Sequence, residues 1–365
     1  MATPRHPLSW KASRLTMKLN SSLSRTETAS LTPMSLTRRS KSTAGRFLPM
    51  ATDDKKTRLE GLWTRRRILE LREHPVRGVF DAAHLLEINR RIFQDMPRFG
   101  FPEYRPGEFR PPVIRGDWLK YRQLESNDKI FCIAYSDMGR DARRHLETFL
   151  EAANPDTLKT LKTADFTKAM GDLYSRLDYI HPFRDGNSRT LREFTRQLAE
   201  AAGYTVDWER FNENKFGRDV LYIARDKSVN ELSFPHLRDA DTKRDVAFTR
   251  DSFARSRDLP DLLRDAVRPS RAIAFEKEDR ETALKKFPEL ATHYALLDLA
   301  EAQASERFSA DPRTVVNVVA DIKSRMVARL DTGDVQIARA APEHARADWI
   351  ERDEHDDARD EGRER

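Results

Sequence analysis

The 365-residue sequence predicts an all-α protein with one small β-hairpin and a small C-terminal helical unit. Two patterns carry the prediction. From residue 54 onward, apolar residues recur mostly at helical spacing, i, i+3 or i+4 and i+7. One stretch instead alternates large apolar and polar residues, Trp118-Leu119-Lys120-Tyr121 and then Ile130-Phe131-Cys132-Ile133, which suggests a hairpin with one exposed edge. Charged residues make up 35% of the chain against 38% hydrophobic, so exposed helices or disordered ends are expected as well.

Residues 54–73 read as a charged helix carrying Leu59, Leu62, Ile68 and Leu71, stopped by His74-Pro75. Asp81 caps a second helix that buries Leu85, Leu86, Ile88 and Ile92. Pro97, Gly100, Pro102, Pro106 and Gly107 mark a long irregular loop. Val113-Ile114-Arg115 has strand character and Gly116-Asp117 makes a turn before the first half of the hairpin. Helical spacing returns from Asp141. Phe166, Met170, Leu173, Leu177 and Ile180 then define a helix running straight into His181. The next helix starts at Asn187 or Ser188, buries Leu191, Phe194 and Leu198, and ends at Gly203. Trp208, Phe211, Phe216, Val220 and Ile223 extend the helical domain to about residue 240. Residues 241–269 look charged and irregular, with Pro260 interrupting, and read as a linker. Residues 270–342 read as a small helical appendage, with Leu290, Tyr294 and Leu297 as one apolar set and Val315, Val316, Val319, Ile322 and Met326 as another.

The N-terminal end is expected to carry no fold. Residues 1–49 are rich in Ser, Thr, Arg and Lys, with Glu27 as their only acid; they read as a disordered basic leader or as a mis-called start, with translation beginning at Met50. The tail 343–365 is dense in both charge signs and reads as disordered or as a solvated helix. A formal charge of +6 permits contact with nucleic acid, but the basic leader has no interleaved aromatics, so a nucleic-acid-binding protein is the weaker reading. Cys132 is the only cysteine, which excludes disulfide frameworks and cysteine-rich zinc sites. No run of about 18 apolar residues offers a membrane span.

The densest chemistry lies in His181-Pro182-Phe183-Arg184-Asp185-Gly186-Asn187-Ser188-Arg189-Thr190-Leu191-Arg192, where one helix hands over to the next. Gly186 permits a positive φ and Asn187 tolerates one. Such a turn at a helix N-terminus aims free N–H groups at one point and makes an anion hole. Arg189 and Arg192 stand at i and i+3, where both can face the same anion, and guanidinium forks suit phosphate. Asp185 can hold Mg²⁺, which commonly takes one or two carboxylates together with substrate phosphates. His181 is the candidate general base. Pro182 and Phe183 carry no chemistry; Phe183 points inward and fixes the loop. Taken singly, each residue has a bland role as a helix end, a cap or a surface ion pair. Taken together, they describe a nucleotidyl- or phosphoryl-transfer site.

The same residues resemble the signature of the Fic (Fido) family, H-P-F-x-[DE]-G-N-G-R-x-x-R, and the resemblance extends over roughly residues 57–240. It includes Phe80-Asp81-Ala82-Ala83-His84, Gly107-Glu108-Phe109-Arg110 and Gly203-Tyr204. It implies a Fic domain over residues 50–240 and a protein adenylyltransferase with ATP as co-substrate and Mg²⁺. His181 would deprotonate a Ser, Thr or Tyr hydroxyl of a target protein. Asp185 would bind the metal, Gly186, Asn187 and Ser188 would sit at the anion hole, and Arg189 and Arg192 would hold phosphates. The hairpin would be a flap, at about residues 111–132, on which the target docks as an added strand. By family analogy the target is a topoisomerase subunit or a small GTPase.

One departure stands out: the family's second glycine is Ser188 here. A catalytically weak Fic-fold binding module is therefore the first alternative. Many members are held off by a glutamate that pairs with the second motif arginine, in a [ST]-x-x-x-E-[GN] pattern. Lys56-Thr57-Arg58-Leu59-Glu60-Gly61 matches only its end, which makes Glu60 an inhibitory candidate. An antitoxin-like partner acting in trans is the favoured regulator, in the manner of the family's toxin–antitoxin branch. The expected location is cytoplasmic, with secretion as an effector left open.

Overall fold

The computed structural model describes residues 54–126 and 129–333. The basic leader 1–49, the tail 343–365 and the last residues of the expected appendage lie outside them. The first helix, α1 (Asp54–Glu73), buries Leu71 and half-buries Trp63 and Ile68, while Leu62 faces solvent at 68% exposure. Helix α2 (Ala82–Phe93) is capped by Asp81, whose Oδ1 accepts from the His84 N–H at 2.9 Å. Its inner face buries Leu85, Ile88, Ile92 and Phe93.

The hairpin consists of β1 (Trp118–Gln123) and β2 (Ile130–Tyr135), antiparallel, with Trp118 opposite Tyr135 and Gln123 opposite Ile130. It therefore begins later than the expected 111–132. Pro111 and Pro112 have no N–H to give a ladder. The Val113 N–H is taken by the Asp137 carbonyl at 2.7 Å, and the Asp117 carboxylate accepts from the backbone of Arg238 and Asp239. Residues 111–117 are thus tied to loops rather than paired as a strand. Phe131 to Tyr135 of β2 are all buried, facing two apolar clusters on opposite sides.

Next come α3 (Arg140–Glu151), α4 (Pro155–Leu158) and α5 (Thr163–Ile180). Helix α5 is the axis of the core. Phe166, Met170, Tyr174, Leu177 and Ile180 are buried, and so are Thr167, Ser175 and Asp178 from its other sides. A helix buried nearly all round needs neighbours on every face. They are α3, α6 (Asn187–Ala201), α7 (Lys215–Ser233) and the short α9 (Leu259–Leu263), with β2 at the C-terminal end. The strand β3 (Tyr204–Val206) follows α6 directly.

Residues 241–269 are not a linker. They form most of α8 (Ala240–Phe253), then α9 and β4 (Val267–Pro269), which pairs antiparallel with β3. Their charged residues conceal Val246, Phe253, Leu259, Leu262 and Leu263, all buried. Pro260 does not interrupt anything: it lies in the first turn of α9, where a missing N–H costs no hydrogen bond. The β3–β4 sheet is a second small sheet, with strands too short for alternation to announce them. Helices α7 and α8 also close the outer edge of β2. The Asn230 side chain accepts from the Ala134 N–H and donates to the Cys132 carbonyl, both at 3.0 Å, and Thr249 Oγ1 accepts from the Cys132 N–H at 3.1 Å. An amide side chain thus replaces a missing strand.

The C-terminal helices are α10 (Ser270–Lys277), α11 (Arg280–Lys286), α12 (Ala291–Arg307) and α13 (Pro312–Asp331). They share a separate cluster built on Phe275, Leu290, Tyr294, Val327 and Leu330. The end of α13 returns to the start of α5: Thr163 Oγ1 donates to the Asp331 carbonyl at 2.6 Å, and Arg268 grips the Asp331 carboxylate with Nε and Nη2 at 2.9 and 2.8 Å.

Gly171 on α5 tests the seating of α9. A β-carbon there would stand 2.9 Å from the Pro260 Cα. In an open helix Gly→Ala is worth about 1 kcal/mol of stabilisation. Here overpacking of about 1–3 kcal/mol should prevail. Gly171→Ala is therefore expected to lower the melting temperature, and a rise would show that α9 does not pack on α5.

Candidate active site

Helix α5 stops at His181, which adopts a left-handed conformation at φ +50° and donates its N–H to the Leu177 carbonyl at 3.2 Å. Pro182 follows and disfavours continuation of the helix. The freed carbonyls at this end meet a fully buried guanidinium. Arg110 Nε donates to the His181 carbonyl at 2.7 Å, and Nη2 to the Ile180 and Ser136 carbonyls at 3.3 and 2.6 Å. The Arg110 N–H donates to the Pro182 carbonyl at 2.8 Å, and the guanidinium lies 4.5 Å over the Trp118 ring. A cation at a helix C-terminus also complements the dipole. Burial pushes Arg110 down to about 10, which still leaves it charged at neutral pH.

The imidazole of His181 is turned inward, 3% exposed, with its ring 3.8 Å from that of Tyr135. Its Nδ1 lies 3.7 Å from Asp178 Oδ1. Neither ring nitrogen has a hydrogen-bond partner among the described residues. Burial, and then the nearby Lys120 ammonium, push the imidazole down to about 3, so it is neutral near pH 7. Burial alone would raise the Asp178 carboxyl. The Arg225 guanidinium, donating to Oδ2 from Nε at 3.1 Å and Nη2 at 2.8 Å, overcomes this and holds it well below the usual carboxylate range.

The loop after His181 is shaped by Asn187. Its Oδ1 accepts from the Phe183 N–H at 2.9 Å and its Nδ2 donates to the Phe183 carbonyl at 2.7 Å. The side-chain amide of Asn187 is thus committed to the loop, while its backbone N–H stays at the α6 terminus where the anion hole was expected. Phe183 is buried, as its apolar ring requires. The helix cap is Gly186 rather than Asn187 or Ser188. Gly186 has φ +76°, and a β-carbon on it would meet the Phe93 ring at 2.1 Å, so no other residue fits without displacing that ring. Asp185 is exposed beside this corner, with Oδ1 accepting from the Gly186 N–H at 2.7 Å.

Within α6, Thr190 is the first residue whose N–H finds an intrahelical acceptor, the Gly186 carbonyl at 3.1 Å. The N–H groups of residues 187–189 are left to whatever anion sits at this terminus. Ser188 Oγ accepts from Arg192 Nε and Nη2 at 3.2 and 2.9 Å, and from Arg225 Nη1 at 3.1 Å. Arg192 forms no salt bridge with a described residue. Burial, with Arg225 close by, lowers its pKa, the mark of a cation short of an anion. Arg189 does not join it. It is paired with Glu60 of α1, donates to Thr64 Oγ1 at 3.1 Å, and lies 4.9 Å over the Phe93 ring. The two arginines were expected to face one anion; here Arg189 is held by Glu60 and Thr64 of α1, and Arg192 by Ser188 one turn back. Glu60 does meet a motif arginine, but the first rather than the second.

Sequence reasoning missed Asp178, Arg225, Lys120 and Tyr135 as parts of this site, and it used Arg110 only as a point of resemblance. Asp178 carried a signal, being a carboxylate three residues before His181 on an otherwise apolar helix face. Arg225 carried none, because only the packing of α7 on α5 brings it here.

Residues 79–199 match the model of the Fic/DOC family, and this segment of the chain belongs to that family. Among curated relatives, the chain is 30% identical over 164 residues to the protein adenylyltransferase VbhT of Bartonella schoenbuchensis, covering 44% of this chain and 30% of that one. It is 26% identical over 177 residues to a protein adenylyltransferase of Bartonella henselae, covering 46% and 30%. The match thus spans under a third of each relative's length. A solved structure, that of the VirB-translocated effector BepC of Bartonella tribocorum with bound AMPPNP, aligns at TM-score 0.41 and 20% identity over 59% of this chain and 88% of that one. Among the described residues no helix is long and apolar enough to cross a membrane.

The buried imidazole predicts how stability depends on pH. His181 titrates at about 3 in the fold, against about 6.5 in an unfolded chain. Between these values the unfolded state binds the proton and the folded state does not. Stability attributable to His181 is therefore lost as pH falls from about 6.5 toward 3, by up to roughly 1.4 kcal/mol per pH unit. Denaturant unfolding of wild type and His181→Gln across pH 4–7.5 should show the steeper fall in wild type. Equal slopes would mean that the imidazole is not held neutral.

Proposed function

We propose that the chain is a protein adenylyltransferase, moving AMP from ATP to a Ser, Thr or Tyr hydroxyl of a target protein. One juxtaposition carries this reading: a neutral imidazole with an unpartnered nitrogen stands next to a helix N-terminus and an uncompensated guanidinium. The first can accept a proton near pH 7. The others offer the preorganised positive field that a polyphosphate needs. The activity named for the Bartonella relatives supports the same reaction class.

In the proposed step, His181 Nε2 takes the hydroxyl proton as the target oxygen bonds to the α-phosphorus. The bond from that phosphorus to the bridging oxygen breaks, and pyrophosphate leaves with its electron pair. Arg192 and the N–H groups of residues 187–189 bind phosphate oxygens, and Gly186 lets the chain come close to them. Among the described residues no three or more His, Cys, Asp or Glu side chains cluster as a metal site. A single exposed carboxylate, Asp185, still fits magnesium, which is commonly held by one carboxylate and the substrate's own phosphates. When bound, the ion neutralises phosphate charge. The target docks as a strand on β1, which among the described residues pairs only with β2.

Glu60 makes the resting state self-restrained in this reading, since its carboxylate occupies Arg189, which would otherwise serve a phosphate. The brake is then internal, and a trans-acting antitoxin is not needed to explain it. Ser188 supports the weaker alternative of a nucleotide-binding module, because its hydroxyl engages Arg192.

The test is incubation with labelled ATP and Mg²⁺ in cell lysate. Wild type should label protein and His181→Ala should not. Glu60→Gln should raise labelling roughly tenfold, the effect of about 1.4 kcal/mol from one charge-assisted contact. No histidine-dependent label in either background would sink the transferase reading. ATP binding without label, with label gained in Ser188→Gly, would favour the binding module.

A further inference from the structure

We infer that Asp178 and Arg225 are positioning residues: Asp178 fixes the proton of His181 on Nδ1, and Arg225 on α7 holds Asp178 in place while also gripping the phosphate side of the site. The inference rests on the transferase reading for its consequence, but not for its geometry. Asp178 lies three residues before His181, in the last turn of α5. The left-handed turn at His181 brings Nδ1 to 3.7 Å from Asp178 Oδ1. Both atoms are buried, and neither has another partner among the described residues. Two unpartnered polar atoms facing each other in a dry site are costly unless they share a hydrogen. A closure of about 0.5–0.8 Å would supply it.

Arg225 decides which carboxylate oxygen is free. Its Nε and Nη2 both donate to Oδ2 and leave Oδ1 to the imidazole. The third nitrogen, Nη1, donates to Ser188 Oγ, which also accepts from Arg192. One guanidinium therefore spans the base and the anion cradle. The other groups around His181 are Lys120 from β1, Arg110 from the preceding loop and Tyr135 from β2. Asp178 is the carboxylate that reaches the ring at ion-pair distance. A proton on Nε2 would turn the Nδ1 lone pair toward that carboxylate, an arrangement disfavoured by repulsion. A proton on Nδ1 leaves the Nε2 lone pair free, the form a general base requires. Arg225 lies on α7, beyond the segment 79–199 that matches the family model.

The test uses the full chain with nitrogen-15 in its histidines. In wild type, the His181 spectrum should show hydrogen on Nδ1 and a bare Nε2. Asp178→Asn keeps the shape but turns an amide N–H₂ toward the ring, so the proton should move to Nε2. The histidine-dependent labelling rate should then fall roughly 10³- to 10⁴-fold, the scale of a base left in the wrong tautomer, with the KM for ATP little changed. Asp178→Glu should restore part of the Nδ1–H signature. Hydrogen on Nε2 in wild type, or an Asp178→Asn protein with unchanged tautomer and rate, would overturn the inference. Should Asp178→Asn fail to fold, the wild-type tautomer alone decides. A tautomer that responds to Asp178 in a protein that labels nothing leaves the pairing standing and removes the transferase reading. Labelling without any tautomer response does the reverse.

Discussion

At the end of α5 the chain turns left-handed at His181, and a buried guanidinium from a distant loop takes up the carbonyls that the turn exposes. Much of the site follows from that arrangement. A left-handed non-glycine residue costs about 1–2 kcal/mol, and here it is held by Arg110 on the carbonyl side and by Pro182 after it. The turn sends the imidazole inward, under Tyr135, instead of into solvent. It also starts the corner that Asn187 closes, and that corner sets the position of the first turn of α6. His181 and the α6 N-terminus, the proposed base and anion cradle, are thus two ends of one short piece of chain. Their separation is fixed by backbone geometry rather than by flexible side chains, and such rigidity lets a site meet a substrate without reorganising.

The helical class and the cluster at 181–192 were legible because both are local. Periodicity in α2, α5 and α6 reports a buried face directly, and the cluster's residues are neighbours in sequence. What was not legible depended on tertiary crossings. Short elements such as α9, β3 and β4 have too few residues to show a period, so Leu259, Leu262 and Leu263 were hidden among charges. Arg225 is brought to His181 and Ser188 only because α7 crosses α5. Asn187 is the instructive case. Its tolerance of a turn at a helix start was legible, but the sequence alone cannot say that its amide clamps the Phe183 backbone.

Burial of charge is the other theme of this core. Arg110, Asp178, Arg225 and Asp226 are all nearly inaccessible, a costly set unless each finds partners. Asp178 is matched by Arg225, and Asp226 by Arg122 on β1. Burial raises the Asp226 carboxyl, and Arg122 opposes but does not cancel it. Both acids lie beside the hairpin or the base, and both partners are guanidinium forks. Hydrophobic pairs of similar volume would hold α7 as well or better. The use of ions here is consistent with a core that fixes directions as much as it supplies stability.

Helix α1 shows how such directional contacts can divide labour. It is anchored by Arg67, which grips Asp95 with Nε at 2.6 Å and Nη2 at 2.9 Å. That contact lies away from the motif and does not involve it. Glu60, nearly two turns earlier on the same helix, reaches Arg189. An anion arriving at the α6 terminus therefore need not dislodge the helix. It has only to replace one carboxylate on one guanidinium while Arg67 keeps α1 in place. Side-chain exchange of this kind has a low structural cost, and the Phe93 ring beneath Arg189 supports the guanidinium in either pairing. Under the proposed function, restraint by Glu60 would be graded and reversible, its strength set by how well a carboxylate competes with phosphate for a single cation.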